Sequence, residues 1–98
     1  MQSLHMLETL IAERRAYPKE GSYTNSLLAS GTPKMAQKVG EEAVEVVVAA
    51  LGQGRGEQVY ELADLFFHTI VLMNDLGITL EEVDTELMRR HQPKEDTP

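Results

Sequence analysis

The chain reads as all-α, a bundle of four to five helices in one domain, and three observations predict this. Apolar residues recur at helical spacing through every long segment. Proline and glycine gather at the junctions between those segments. The one β-branched run, Val44 to Val48, follows a dozen residues of helical type with no turn between, so a strand there is rejected.

Each element has its own signal. Leu4, Leu7, Leu10 and Ile11 share a face, so residues 3–16 predict an amphipathic helix that stops near Tyr17 and Pro18. Residues 18–25 are polar with Gly21 at the bend, and residues 26–30 predict one short helical turn. Thr32 followed by Pro33 is an N-cap with proline at the first helical position, opening a second long helix that reaches about Leu51. Gly52 to Gly56 predicts a flexible connector. A third long helix covers residues 57–76 with Gly77 as its stop, and its apolar residues nearly surround the axis, which predicts burial in the middle of a bundle. Thr79 and Glu82 form a capping-box pair that opens a last helix with Leu80, Val83 and Leu87 as its buried stripe. Residues 92–98 predict a disordered tail, leaving residues 1–91 as the single domain.

Composition narrows the function classes. At 98 residues the chain buries little surface by itself, so a homodimer or larger assembly is expected. With no cysteine there is neither a disulfide nor a thiolate metal site. The first residues lack the basic and apolar parts of a signal peptide, and no apolar run reaches the roughly 20 residues of a membrane span, so a cytoplasmic protein without a membrane partner is expected. A net charge of −7 argues against a nucleic-acid surface, though a phosphate ligand stays compatible. Five of the nine basic residues, Arg14, Arg15, Lys19, Lys34 and Lys38, precede the first acidic motif, which predicts a cationic lobe beside it.

That motif is Glu41, Glu42 and Glu45, followed by Glu61 and Asp64 on the next long helix. At 100° per residue the three glutamates share an arc of about 100°, and Glu61 and Asp64 lie about 60° apart. If the helices face each other, five acids converge. Two carboxylates about 5 Å apart at an effective dielectric near 20 repel by roughly 3 kcal/mol, so such a cluster calls for cations. All-oxygen ligation favours magnesium, with manganese possible. Lys34 and Lys38 share the arc of the three glutamates. Alone, that stripe is equally well read as wet pairing of Lys38 with Glu41 at i,i+3 or Glu42 at i,i+4. Glu57, Glu61, Asp64, His68 and Asp75 form a polar stripe on the otherwise apolar third long helix, which favours a site. His68 reads as a hydrogen-bonded structural residue able to orient Asp64, with a general base as the lesser reading. Tyr60 and the methionines read as packing.

Acids, divalent metal and lysines together suit bringing a polyphosphate to a water. No glycine-rich phosphate loop accompanies them, since Gly52 to Gly56 lacks the following lysine and follows a helix.

The pattern Glu-Glu-x-x-Glu then Glu-x-x-Asp resembles the MazG-like nucleotide pyrophosphohydrolases. Gly21-Ser22-Tyr23-Thr24, Lys38-Val39-Gly40-Glu41-Glu42-Ala43-Val44-Glu45 and Ala63-Asp64-Leu65-Phe66-Phe67-His68 look like the phosphoribosyl-ATP pyrophosphohydrolase family within them. The resemblance covers about residues 4–91. It implies a dimeric helical bundle with the third long helix between subunits. It also implies magnesium-dependent hydrolysis of phosphoribosyl-ATP to phosphoribosyl-AMP and diphosphate, the second step of histidine biosynthesis. Glu41, Glu42, Glu45, Glu61 and Asp64 match the metal ligands, with Glu41, Glu42 and Glu45 as the catalytic set and Glu41 the candidate proton acceptor. Ser22, Tyr23, Thr24, Lys34 and Lys38 are the implied substrate contacts. The cyclohydrolase to which some relatives are fused would be a separate chain. Two rivals stand beside this reading: a house-cleaning nucleoside triphosphate pyrophosphatase using the same acids, and a non-enzymatic helical dimerisation module.

Overall fold

Ile11, Leu27, Met35, Ile70 and Val71 are the buried apolar side chains around which the chain closes. A computed structural model describes residues 1–91, and the predicted tail at 92–98 lies outside the described residues. Five helices follow in order: α1 (Gln2–Ala16), α2 (Tyr23–Ala29), α3 (Thr32–Gly52), α4 (Arg55–Leu76) and α5 (Leu80–Arg90). Among the described residues there is no strand, as the all-α reading predicts.

Helices α3 and α4 form a long antiparallel hairpin. The predicted five-residue connector shrinks to Gln53 and Gly54, because both outer glycines continue the helices. The Gln58 side chain ties this turn down by donating to the carbonyls of Ala49 and Gln53 at 3.1 and 3.0 Å. Helix α1 packs along α4, α2 wedges between α1, α3 and α4, and α5 touches only α1.

Three expectations about burial need correction. The core lies where α1 and α2 cover the C-terminal half of α4 and the start of α3. Among the described residues the far end of the hairpin is left largely uncovered, with only the start of α1 beside it, so Val59, Tyr60, Leu62 and Phe66 of α4 are exposed, and Tyr60 is not a core residue. Helix α5 leans on α1 by one edge, which leaves Val83 and Leu87 exposed and only Leu80 half-buried. Met35 is buried and Met73 packs against the core, whereas Met1, Met6 and Met88 are exposed.

Helix α2 starts three residues before the predicted turn. Ser22 is its N-cap and its Oγ accepts from the backbone N–H of Asn25, so Tyr23 and Thr24 belong to the first helical turn. Gly21 supplies the positive φ of 80° needed to enter it. No single helix among the described residues is long and apolar enough to cross a membrane.

Candidate active site

Glu42 is the only acidic residue buried in the described structure, and it faces Asp64 from the opposite arm of the hairpin. Helical periodicity places it there. The exposed apolar stripe of α3 is Val44, Val47, Val48 and Leu51, and Glu42 and Glu45 fall on another side of the helix. On α4, Glu61, Asp64 and His68 lie opposite the stripe of Val59, Leu62 and Phe66. One candidate ligand atom from each of Glu42, Asp64 and His68 lies within 4.8 Å of the other two.

The electrostatics fit a cluster short of positive charge. Burial raises the Glu42 pKa first, and its hydrogen bond with Asp64 and the Asp64 charge add to this; Lys38 and His68 oppose it. The Glu61 carboxyl is also raised, by desolvation and then by Glu45, Asp64, Glu42 and Glu57. Glu42, Glu45, Glu61 and Asp64 therefore act on one another across the two helices. Only oxygen donors converge, apart from the histidine ring, and that set suits a hard divalent cation.

Glu41 stands apart from that group. Its carboxylate accepts from the Gln37 amide at 2.9 Å and lies 3.6 Å from the Lys38 Nζ. The Gln37 hydrogen bond chiefly holds its pKa below the ordinary value, desolvation opposes, and Lys38 and Lys34 add to the lowering. Lys38 is half-buried and bridges the edge, with Nζ also 3.4 Å from Glu42. Desolvation pulls its pKa down, but Tyr23, Glu42 and Glu41 together outweigh it and leave the ammonium above its usual value. Both surface pairs of the simpler reading thus exist, but one of them reaches a buried acid.

The residues matched to substrate contacts divide. Tyr23 comes to the acidic edge, where its hydroxyl meets His68 Nε2 at 2.9 Å. Lys34, in the first turn of α3, is exposed and close enough to Glu41 to affect it. Ser22 is occupied in capping α2, and Thr24 sits half-buried behind Tyr23. An open depression of about 550 Å³ lies at this loop, lined by Lys19, Glu20, Gly21, Ser22, Tyr23, Asn25 and Ser26.

Asn25 went unremarked in the sequence and holds the loop. Its amide donates to the Arg14 carbonyl at 2.8 Å, and its oxygen accepts from the Lys19 N–H at 2.8 Å. Serine three residues before asparagine, ahead of Leu27 and Leu28, was the available signal. Asp75 lies on the α4 polar arc but serves elsewhere, accepting from Thr32 and pairing with Arg15 at 3.4 Å to bind α1, α3 and α4 together.

An all-helical hairpin with acids from both arms meeting beside a lysine fits the class of helical pyrophosphohydrolases that the sequence resembles. The family model described as phosphoribosyl-ATP pyrophosphohydrolase matches residues 4–91, and the chain belongs to that family. It is 47% identical over 90 residues to a phosphoribosyl-ATP pyrophosphatase of Limosilactobacillus fermentum, covering 92% of this chain and 85% of that protein. A protein of the same description from Geotalea daltonii is 51% identical over 87 residues, covering 89% of this chain and 82% of its own length. The histidine biosynthesis bifunctional protein HisIE of Oceanobacillus iheyensis is 43% identical over 97% of this chain, which spans only 44% of that longer protein.

Proposed function

We propose that the chain hydrolyses phosphoribosyl-ATP to phosphoribosyl-AMP and diphosphate, the second step of histidine biosynthesis, in the cytoplasm. The observation that carries this reading is the meeting of buried Glu42 with Asp64 beside Lys38 in a chain of that family. Magnesium, or manganese in its place, would be held by Glu42, Glu45, Glu61 and Asp64. The raised Glu42 pKa supports this assignment, because a cation between the two acids relieves the repulsion that burial has intensified. When bound, such an ion neutralises phosphate oxygens and makes water more acidic.

The protein's own groups supply the rest. Water adds to phosphorus, the bond bridging the α and β phosphates breaks, and diphosphate leaves with the bridging oxygen. Glu41, exposed and ionised beside the cluster, would take the proton of the attacking water on turning from Gln37 and Lys38. Lys38 and Lys34 offset charge on the departing diphosphate. Ser22 and Tyr23 border the depression at the start of α2, which would receive the ribose and phosphate parts of the substrate, and Thr24 lies next to them in the first helical turn.

A second copy of the chain is part of the proposal. The exposed stripes Val44, Val47, Val48 and Leu51 on α3 and Val59, Leu62 and Phe66 on α4 form two apolar edges on the free end of the hairpin. A homodimer that pairs these ends would bury them.

Diphosphate release from phosphoribosyl-ATP, with and without magnesium and beside a panel of deoxynucleoside triphosphates, tests the function. Metal-dependent turnover of phosphoribosyl-ATP alone is expected. Preference for the triphosphates would transfer the chain to house-cleaning chemistry, and no turnover of either would leave a dimerisation module.

A further inference from the structure

We infer that His68 is a positioning residue that fixes the Tyr23 phenol as a rigid wall of the nucleotide site, and that it is not a metal ligand. This rests on the proposed function and deepens it. His68 is 4% exposed, and both ring nitrogens are engaged. Nδ1 lies 2.8 Å from the Asp64 backbone carbonyl, which can only accept, so Nδ1 carries the hydrogen. In the neutral ring Nε2 is then an acceptor, and the Tyr23 hydroxyl donates to it at 2.9 Å. Coordination through either nitrogen would break one of these bonds, although the ring lies among the carboxylates.

Tyr23 is held at its ring as well as its hydroxyl. It stacks on Phe67 with centroids 6.2 Å apart and an interplanar angle of 23°, and it meets His68 edge-on at 5.8 Å. Phe67 in turn packs edge-on against His68 at 5.2 Å. Yet Tyr23 is 53% exposed. An aromatic side chain with this much surface and so little freedom loses little entropy when a ligand lies against it. The connection also ties the first turn of α2 to the backbone of Asp64, which couples the substrate side of the site to its acidic side.

The test uses three single variants of the full chain and the double variant Tyr23→Phe with His68→Asn. Tyr23→Phe keeps the ring and removes the donor. His68→Asn can still donate to the Asp64 carbonyl but cannot reach Tyr23. His68→Gln offers an oxygen near the position of Nε2. Tyr23→Phe and His68→Asn should each raise the KM for phosphoribosyl-ATP about tenfold with kcat nearly intact, the size expected for one lost positioning hydrogen bond. The double variant should be no worse than either single one, and His68→Gln should recover most of the loss. Nitrogen NMR of the metal-free wild type should show His68 protonated on Nδ1, with the Nε2 resonance shifting in Tyr23→Phe. Loss of manganese binding in both His68 variants, or fully additive effects in the double variant, would overturn the inference. A wild type inert toward phosphoribosyl-ATP would defeat the functional reading instead, and the nitrogen spectrum then decides the His68–Tyr23 link by itself.

Discussion

Glu42 sets the energetics of the site at the level of single residues. A carboxyl whose folded pKa is raised favours the fold most when protonated. Its contribution is fully present below the unfolded value near 4.5 and is lost as pH rises through the raised value. Metal-free protein should therefore lose thermal stability as pH climbs from the acid side past the ordinary carboxylate range, and Glu42→Gln should flatten that slope. Melting curves in chelator across pH 4 to 8 check this, and added magnesium should flatten the wild-type slope as well. Removing acids from the cluster should separate activity from stability. If they hold the proposed metal, Glu45→Gln or Asp64→Asn is expected to lower turnover by at least about a hundredfold while leaving the metal-free melting temperature equal or higher. A large loss of metal-free stability in either variant would contradict mutual repulsion among these acids. The convergence of α3 and α4 acids was legible in the sequence because residue identity and a period of 3.6 fix which side chains share a face. The turning of Glu41 toward Gln37 and Lys38 was not, since neighbours of the same helix compete for a side chain by rotamer, which spacing does not encode. The His68–Tyr23 bond joins residues 45 apart, and only the packing of α2 on α4 creates it.

Among the elements, the junction of α4 and α5 shows how far capping signals carry. Gly77 ends α4 at φ +71°, with its N–H on the Asn74 carbonyl and the Ile78 N–H on the Met73 carbonyl at 2.9 Å, a left-handed cap that satisfies two terminal acceptors. A Cβ at Gly77 would meet nothing within 4 Å, so the cost of a side chain there is backbone strain alone. Gly77→Ala should cost about 1 kcal/mol and lower the melting temperature by about 4 to 8 °C for a domain of this size, measured in the same buffer as wild type. Thr79 caps α5 as its sequence predicts, accepting from the Glu82 N–H at 3.1 Å. A partner from another helix completes the cap, because the Glu8 carboxylate of α1 accepts from the Leu80 N–H at 2.8 Å. Local patterns thus located the stop of α4 and the start of α5, while the contact that anchors α5 to the bundle came from a residue 72 positions away and carried no local signal. Helix α2 is the opposite case. Its N-cap was present in the sequence at Ser22, but the glycine and polar residues around it outweighed the signal for a helix of only seven residues.

For the whole molecule, the shape of the described residues is what the proposed homodimer would complete. The radius of gyration is 15.2 Å, against about 13 Å for a compact domain of this length, and the long dimension is 49 Å. The excess comes from the free end of the hairpin, where Leu51 is 85% exposed and Tyr60 65%. The apolar periodicity of α4 is that of a helix covered on nearly all sides, yet among the described residues α1, α2 and α3 cover only part of it. A groove of about 380 Å³ between the start of α1 and the α4 stripe, lined by Leu4, Leu7, Val59, Leu62 and Phe66, continues this apolar edge. If a second copy covers it, Leu62→Lys should cost little within one chain, where the side chain is already 42% exposed, but should disrupt the assembly by placing an ammonium in an apolar contact. Sedimentation at micromolar concentration should show wild type at twice the chain mass and Leu62→Lys at the chain mass. The wild-type melting temperature should rise with protein concentration, because association stabilises the folded chain by mass action, whereas that of the variant should not. A wild type that sediments as a monomer, with a melting temperature independent of concentration, would mean that the hairpin is stable with its apolar edges in water, and the homodimer would have to be abandoned.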